Sequence, residues 1–115
     1  MSDVTTGLAI PVSTTFEIPG YVITAYKGST FGVVVRSMGF AKGFTASFSA
    51  LKGGEVKQYT SLLEDARRHA IDRLIANTQA LGANAVIGMR YDSSEIGQSL
   101  SEIVAYGTAV TIAPA

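Results

Sequence analysis

Three side chains in this 115-residue sequence have the types and the spacing for metal chemistry: Asp65, His69 and Asp72. Steps of four and three residues set two carboxylates and an imidazole within about 60° of one another on a helix face. That donor set suits zinc or manganese better than thiophilic ions, which prefer sulfur. His69 is the only histidine and there is no cysteine, so thiolate ligation, disulfides and cysteine nucleophiles are excluded together. The trio stands among Arg68 and Arg73, opposite an apolar stripe. Solvated or subunit-facing ion pairs are the more frequent meaning of such a charged face. For nucleophilic catalysis, Ser13, Thr14 and Thr15 form the nearest hydroxyl cluster, with no motif joining them to His69; they read as a strand edge or turn. Glu95 and Glu102 flank the polar IGQS stretch and read as carboxylates of a hairpin loop. No catalytic or cofactor-binding residue is assigned.

The stretch LGANAVIGMRYD, residues 81–92, raises a further chemical question, because Gly82 and Gly88 frame small and apolar residues. Phosphate-binding glycine loops follow a strand and open a helix, so that the anion meets the free N–H groups of the helix N-terminus. Here the order is reversed. Residues 55–81 lack Gly and Pro and read as the longest helix; Gly82 stops it, and NAVIGMRYD is the strand that follows. Gly88, inside that strand, marks the close approach of a backbone or a neighbouring helix.

The elements that must position these residues follow from periodicity. Residues 1–11 read as a flexible leader, and 12–115 as a single domain. VSTTFEI predicts a short strand before the Pro19-Gly20 turn; YVITAY and FGVVVRS, separated by KGST, predict a hairpin or a bent strand pair. Phe40, Phe44, Phe48 and Leu51 recur at steps of four and three and predict a shorter aromatic helix, broken by Gly53-Gly54. With Lys42 and Lys52 nearby, this stripe suits core or subunit packing better than a membrane surface. On the long helix Val56, Tyr59, Leu63, Ala66, Ala70, Leu74 and Leu81 share one side, with Ile71 at its border. In the last strand, IVAYGTAVTI, neither alternating face is polar. The small-residue face, with Ile103, Ala105, Gly107 and Ala109, suits the long helix, and Gly107 is the expected point of closest approach. The bulkier face, with Val104, Tyr106 and Val110, needs the aromatic helix or another subunit.

Composition narrows the function. Nine basic residues balance nine acidic ones, which disfavours nucleic-acid and anionic-membrane partners. Charged residues are 16% of the chain, below the usual level of about 25%, so part of an apolar surface is expected to lie under another chain. The N-terminal stretch has no basic region and only a short apolar run, as expected of a cytoplasmic protein rather than one with a signal peptide or a membrane span.

The run EDARRHAIDRLIANTQALGANAVIGMRYD, with YGTAV downstream and VSTTFEIPGY upstream, resembles the small bacterial YbjQ-type proteins, often labelled heavy-metal-binding domains. The likeness extends from Val12 to Ile112. Its most specific pieces are STT at 13–15, Ala66-Arg67, LGANAVIG at 81–88 and GTAV at 107–110; these carry over as structural marks. The resemblance implies an α+β fold with an antiparallel sheet on one long helix, a dodecin-like β-α-β-β core, and a ring-shaped homo-oligomer with five subunits as the expected count. With no catalytic motif in the chain, the reading is a binding or structural module with an unidentified ligand, a small molecule or ion at the subunit interface. The alternatives are a metal-ion-binding protein and an enzyme of unrecognised class.

Overall fold

The structure, a computed structural model, describes residues 8–37, 57–96 and 100–115. The expected aromatic helix, the Gly53-Gly54 break and most of the IGQS stretch lie outside these residues. Strand β1 runs Tyr21–Ser37, helix α1 Lys57–Ala80, strand β2 Ala85–Glu95 and strand β3 Leu100–Pro114. The sheet is antiparallel in the order β1-β3-β2, so β3 lies between the two strands that α1 connects. This is the α+β arrangement expected, a three-stranded antiparallel sheet with one long helix.

Helix α1 forms because 24 residues pass without Gly or Pro, and it ends at Gly82. There φ is +79°, a left-handed conformation that side chains resist and glycine accepts. Two hydrogen bonds close the end, Ala83 N–H to the Thr78 carbonyl at 3.2 Å and Gly82 N–H to the Gln79 carbonyl at 3.0 Å. That pairing satisfies carbonyls the last turn would otherwise leave free.

The helix packs through Ala66, Ala70, Leu74 and Thr78, a row at steps of four in which three side chains are small; all four are at most 1% exposed. Ala66, Ala70 and Leu74, with Ile75, meet Val34, Val86, Met89, Ile103 and Ala105 in the main core. Leu63 and Leu81, expected on the buried stripe, are instead 38% and 44% exposed, because the row that meets the sheet is narrower than the apolar side of the helix. The small-residue face of β3 does lie toward α1. The point of closest approach, however, is Gly32 on β1 and not Gly107. A Cβ at Gly32 would stand 2.2 Å from the Ala70 carbonyl oxygen and 2.4 Å from the Leu74 nitrogen, whereas one at Gly107 would meet Val86 and the Ile87 carbonyl of β2.

Two other expectations are corrected. β1 is one strand of 17 residues, and KGST does not end it. Register irregularities between Ile23 and Ala25 and between Tyr26 and Gly28 absorb the extra residues, and pairing resumes at Gly28↔Ala109 and Ser29↔Thr108. Backbone pairing and bulges tolerate polar side chains that face water. VSTTFEI forms no strand of its own. It makes a single parallel bridge, Val12↔Val86, then bends so that the carbonyls of Pro11, Ser13 and Thr15 accept from the N–H groups of Val86, Met89 and Gly88. The core also begins ahead of the expected boundary at residue 12: Ile10 is buried within it. A second cluster, Ile18, Ala85, Ile87 and Val110, with Ile23 and Ile112 against it, covers one end of the opposite sheet face.

Candidate functional site

The metal-like trio sits on the outer face of α1, and the structure brings two of its members together. Asp65 and His69, one helical turn apart, place carboxylate Oδ1 and imidazole Nε2 3.9 Å from each other. Between them reaches Arg36, from the end of β1. Its Nη2 lies 3.3 Å from Asp65 Oδ2 and donates to His69 Nδ1. Asp72 is exposed and outside this contact. Among the described residues no group of three or more His, Cys, Asp and Glu side chains is arranged to hold a metal ion. The position a cation would take beside Asp65 and His69 is filled by a guanidinium, and sulfur ligands from cysteine are absent from the chain. These donors do not fit a heavy-metal centre. With both carboxylate and imidazole about half exposed, the cluster contributes at most about 1 kcal/mol to stability.

The other sequence candidates resolve into structure. Ser13 and Thr15 hydroxyls hydrogen-bond to each other at 2.6 Å, and the Thr15 N–H donates to Ser13 Oγ at 3.1 Å; Thr15 Oγ1 also contacts the Glu17 carbonyl oxygen at 2.6 Å. The STT motif is therefore a bend held by its own hydroxyls. Arg90 Nη1 fastens it to β2 by donating to the Thr14 carbonyl at 2.9 Å. Gly88 adopts φ +61° where this segment crosses, and a Cβ there would stand 2.7 Å from the Phe16 ring, so the space its missing side chain leaves is taken by an aromatic ring and not by the backbone or neighbouring helix expected. Glu102 accepts from the Ser94 hydroxyl at 3.2 Å. Glu95 lies on the other side of the sheet, toward α1.

That side holds a groove the sequence did not single out. A cavity of about 610 Å³ opens between the first half of α1 and the far ends of β2 and β3. Leu63 and Ile103 supply apolar walls, Ser93, Ser94 and Ser101 line the strand side, and Glu64, Arg67 and Glu95 bring charge of both signs. Arg67 lies over the Tyr91 ring, 5.1 Å from its centroid, a cation–π contact that fixes the guanidinium at the edge of the groove. Burial raises the Tyr91 pKa above its ordinary value, against the opposing charges of Arg67 and Arg68. Among the described residues Arg67 has no carboxylate within ion-pair distance. The signal available in sequence was the Ala66-Arg67 pair, which places an arginine beside a residue of the buried row.

Compared with known proteins, residues 10–113 match a family model described as "Putative heavy-metal-binding". The chain belongs to the YbjQ family. A UPF0145 protein of Bradyrhizobium sp. (strain ORS 278) is 55% identical over 104 residues, which are 90% of this chain and 94% of that one. A UPF0145 protein of Sulfurisphaera tokodaii is 48% identical over 103 residues, 90% of each chain. This second relative is archaeal, so the expectation of a bacterial family is too narrow. A crystal structure of a protein of unknown function from the DUF74 family of Pediococcus pentosaceus superposes with a TM-score of 0.62 over 92% of this chain and 100% of the other. At 15% identity that likeness is one of fold alone. The YbjQ resemblance of the sequence thus extends over nearly the whole chain.

Proposed function

We propose that this YbjQ-family chain is a binding module that assembles with copies of itself, as a dodecin-like ring of five, and holds a small polar ligand in the groove beneath α1. The groove carries the reading. Its volume, about 610 Å³, lies within the roughly 300–1,000 Å³ usual for small-molecule sites, and apolar walls with a few convergent polar groups are the common composition of such sites. Arg67, held by Tyr91 and without a carboxylate partner among the described residues, is the group positioned to take a ligand's negative charge, while Glu64 and Glu95 accept hydrogen bonds. Assembly is supported by a sheet whose second face is covered by the described residues only at one end, and the lack of cysteine fits a reducing cytoplasm. Among the described residues, no helix is long and apolar enough to cross a membrane.

Native mass spectrometry of protein purified without added metal tests both halves. The expected result is a multiple of the 12.0 kDa subunit that carries a non-metal adduct, with the adduct lost in Arg67→Ala. A subunit that stays at 12.0 kDa removes the assembly, and an adduct unaffected by Arg67→Ala removes the groove.

A further inference from the structure

The groove beneath α1 has ends of opposite charge. A short turn joins α1 to β2, so the two run in opposite senses and the start of the helix lies beside the end of the strand. Tyr91, Ser93 and Glu95 alternate onto the face of β2 turned toward α1, and register sets Ser93 beside Ile103 and Glu95 beside Ser101 on β3. At one end Arg67 lies over the Tyr91 ring, 5.1 Å from its centroid. At the other end is Glu95, about 13 Å along the strand from Tyr91 at roughly 3.3 Å per residue. Between them the walls are Leu63 and the buried Ile103. Glu64 stands one helical turn before Arg67, about 4.5 Å along the axis, and lines the same groove. Among the described residues neither Glu64 nor Glu95 has a basic partner, and Arg67 has no acidic one. Three unpaired charges thus face one cavity.

Resting on the groove reading stated above, we infer that the ligand is a free basic α-amino acid of lysine's dimensions, held by its carboxylate at Arg67, its α-ammonium at Glu64 and its side-chain ammonium at Glu95. Charge selects this class. One guanidinium against two carboxylates leaves the groove with negative charge in excess. A simple anion such as inorganic phosphate would meet two like charges for one opposite charge, and a diamine would set a cation against Arg67; like charges brought together oppose binding. A molecule with one carboxylate and two ammonium groups pairs all three. Spacing agrees as well. Charge-assisted hydrogen bonds of about 2.8 Å at each end leave on the order of 7 Å between the ligand's terminal groups, the reach of roughly six bonds of about 1.5 Å in an extended zigzag. The aliphatic stem of such a chain lies against Leu63 and Ile103, and Leu63, 38% exposed, is withdrawn from water by it. The Ser93 and Ser101 hydroxyls on the strand side accept from the ammonium protons that the carboxylates leave over.

Calorimetric titration of the full chain with L-lysine tests this against three analogues that each lack one group: cadaverine without the carboxylate, 6-aminohexanoate without the α-ammonium, and norleucine without the terminal ammonium. Each deletion removes a charge-assisted hydrogen bond and should weaken binding about tenfold or more. The residues answer in pairs. Arg67→Ala should abolish the preference for lysine over cadaverine, Glu64→Gln that over 6-aminohexanoate, and Glu95→Gln that over norleucine, because a residue and the ligand group it holds are not additive. All three side chains are exposed, so the variants should keep the wild-type far-ultraviolet circular dichroism; if one fails to fold, the analogue series on the wild-type chain still decides. An analogue that binds as well as lysine, or a preference that survives the loss of its residue, overturns the inference. Lysine that does not bind at millimolar concentration overturns it too, and leaves the groove reading standing where native mass spectrometry shows an adduct lost in Arg67→Ala. An adduct unaffected by Arg67→Ala removes the groove and the inference with it.

Discussion

Gly32→Ala places a single methyl group between β1 and α1, and two opposing effects decide its outcome. In the unfolded chain, alanine has fewer conformations than glycine, which stabilises the fold by about 0.4–1 kcal/mol wherever the native backbone accepts it. In the folded chain the new Cβ would lie 2.2 Å from the Ala70 carbonyl oxygen, 2.4 Å from the Leu74 nitrogen and 2.9 Å from the Arg73 carbonyl carbon. Carbon and carbonyl oxygen approach to about 3.3 Å, so strand and helix must part by about 1 Å. All three obstacles are backbone, and no side chain can swing aside. Overpacking of this kind costs about 1–3 kcal/mol. The separation also stretches the links that tie α1 to β1, namely Thr30 to Thr78, Arg73 to the Val33 carbonyl and Asn77 to the Phe31 carbonyl, each worth about 1 kcal/mol net. The clash outweighs the entropy gain, and a net loss of about 3 kcal/mol is expected, a large share of the roughly 5–15 kcal/mol that holds a domain together. Urea denaturation at matched protein concentration reads it, because self-association moves the midpoint by mass action. A midpoint unchanged or raised, at unchanged m-value, would refute the close approach of α1 to Gly32.

Thr78 is fully buried and donates to the Leu74 carbonyl at 2.7 Å, so the 2.9 Å contact with Thr30 is one in which Thr30 donates. Thr78→Val strands the buried Thr30 hydroxyl and should cost about 1–3 kcal/mol, part of which returns in the double variant with Thr30→Val; a double variant worse than the sum of the singles would contradict this. Burial raises the Tyr91 pKa, against Arg67 and Arg68; its contribution to stability is whole below the ordinary value of 10.0 and is lost as pH rises through the raised folded value. Urea midpoints followed into that alkaline range should fall more in wild type than in Tyr91→Phe, and parallel curves would remove the effect. His69→Ala should leave assembly intact and shift stability by no more than about 0.5 kcal/mol, and calorimetric titration of metal-free protein with zinc should show no stoichiometric site. A tight site that disappears in His69→Ala would restore the metal reading.

What sequence could and could not reveal follows the range of the interactions involved. The helix stop at Gly82 was legible because the cap is local: a long run without Gly or Pro, then one residue free to turn left-handed. The side of β3 that faces α1 was legible because alternation assigns small and large residues to opposite faces within one strand. Which glycine lies beneath the helix was not. Gly107 and Gly32 both occupy the helix-facing side, on neighbouring strands whose register pairs Thr30 with Gly107 and Gly32 with Ala105, so each satisfies the local pattern. The choice depends on where α1 crosses the sheet, and the links from Arg73, Asn77 and Thr78 to β1 hold it over Gly32.

The metal-like trio shows the same limit with greater consequence. Spacing along one helix correctly set Asp65 and His69 side by side. It carried no information about Arg36, 29 residues before Asp65 and 33 before His69, which arrives from the end of another element. A guanidinium between a carboxylate and an imidazole stands where a metal cation would and pairs with the Asp65 carboxylate. The chemistry of such a cluster is therefore decided by tertiary placement. The groove beneath α1 is the converse case: Arg67 was visible only as a structural mark, and becomes a candidate ligand contact because Tyr91 fixes its guanidinium beside a cavity where no described carboxylate pairs with it.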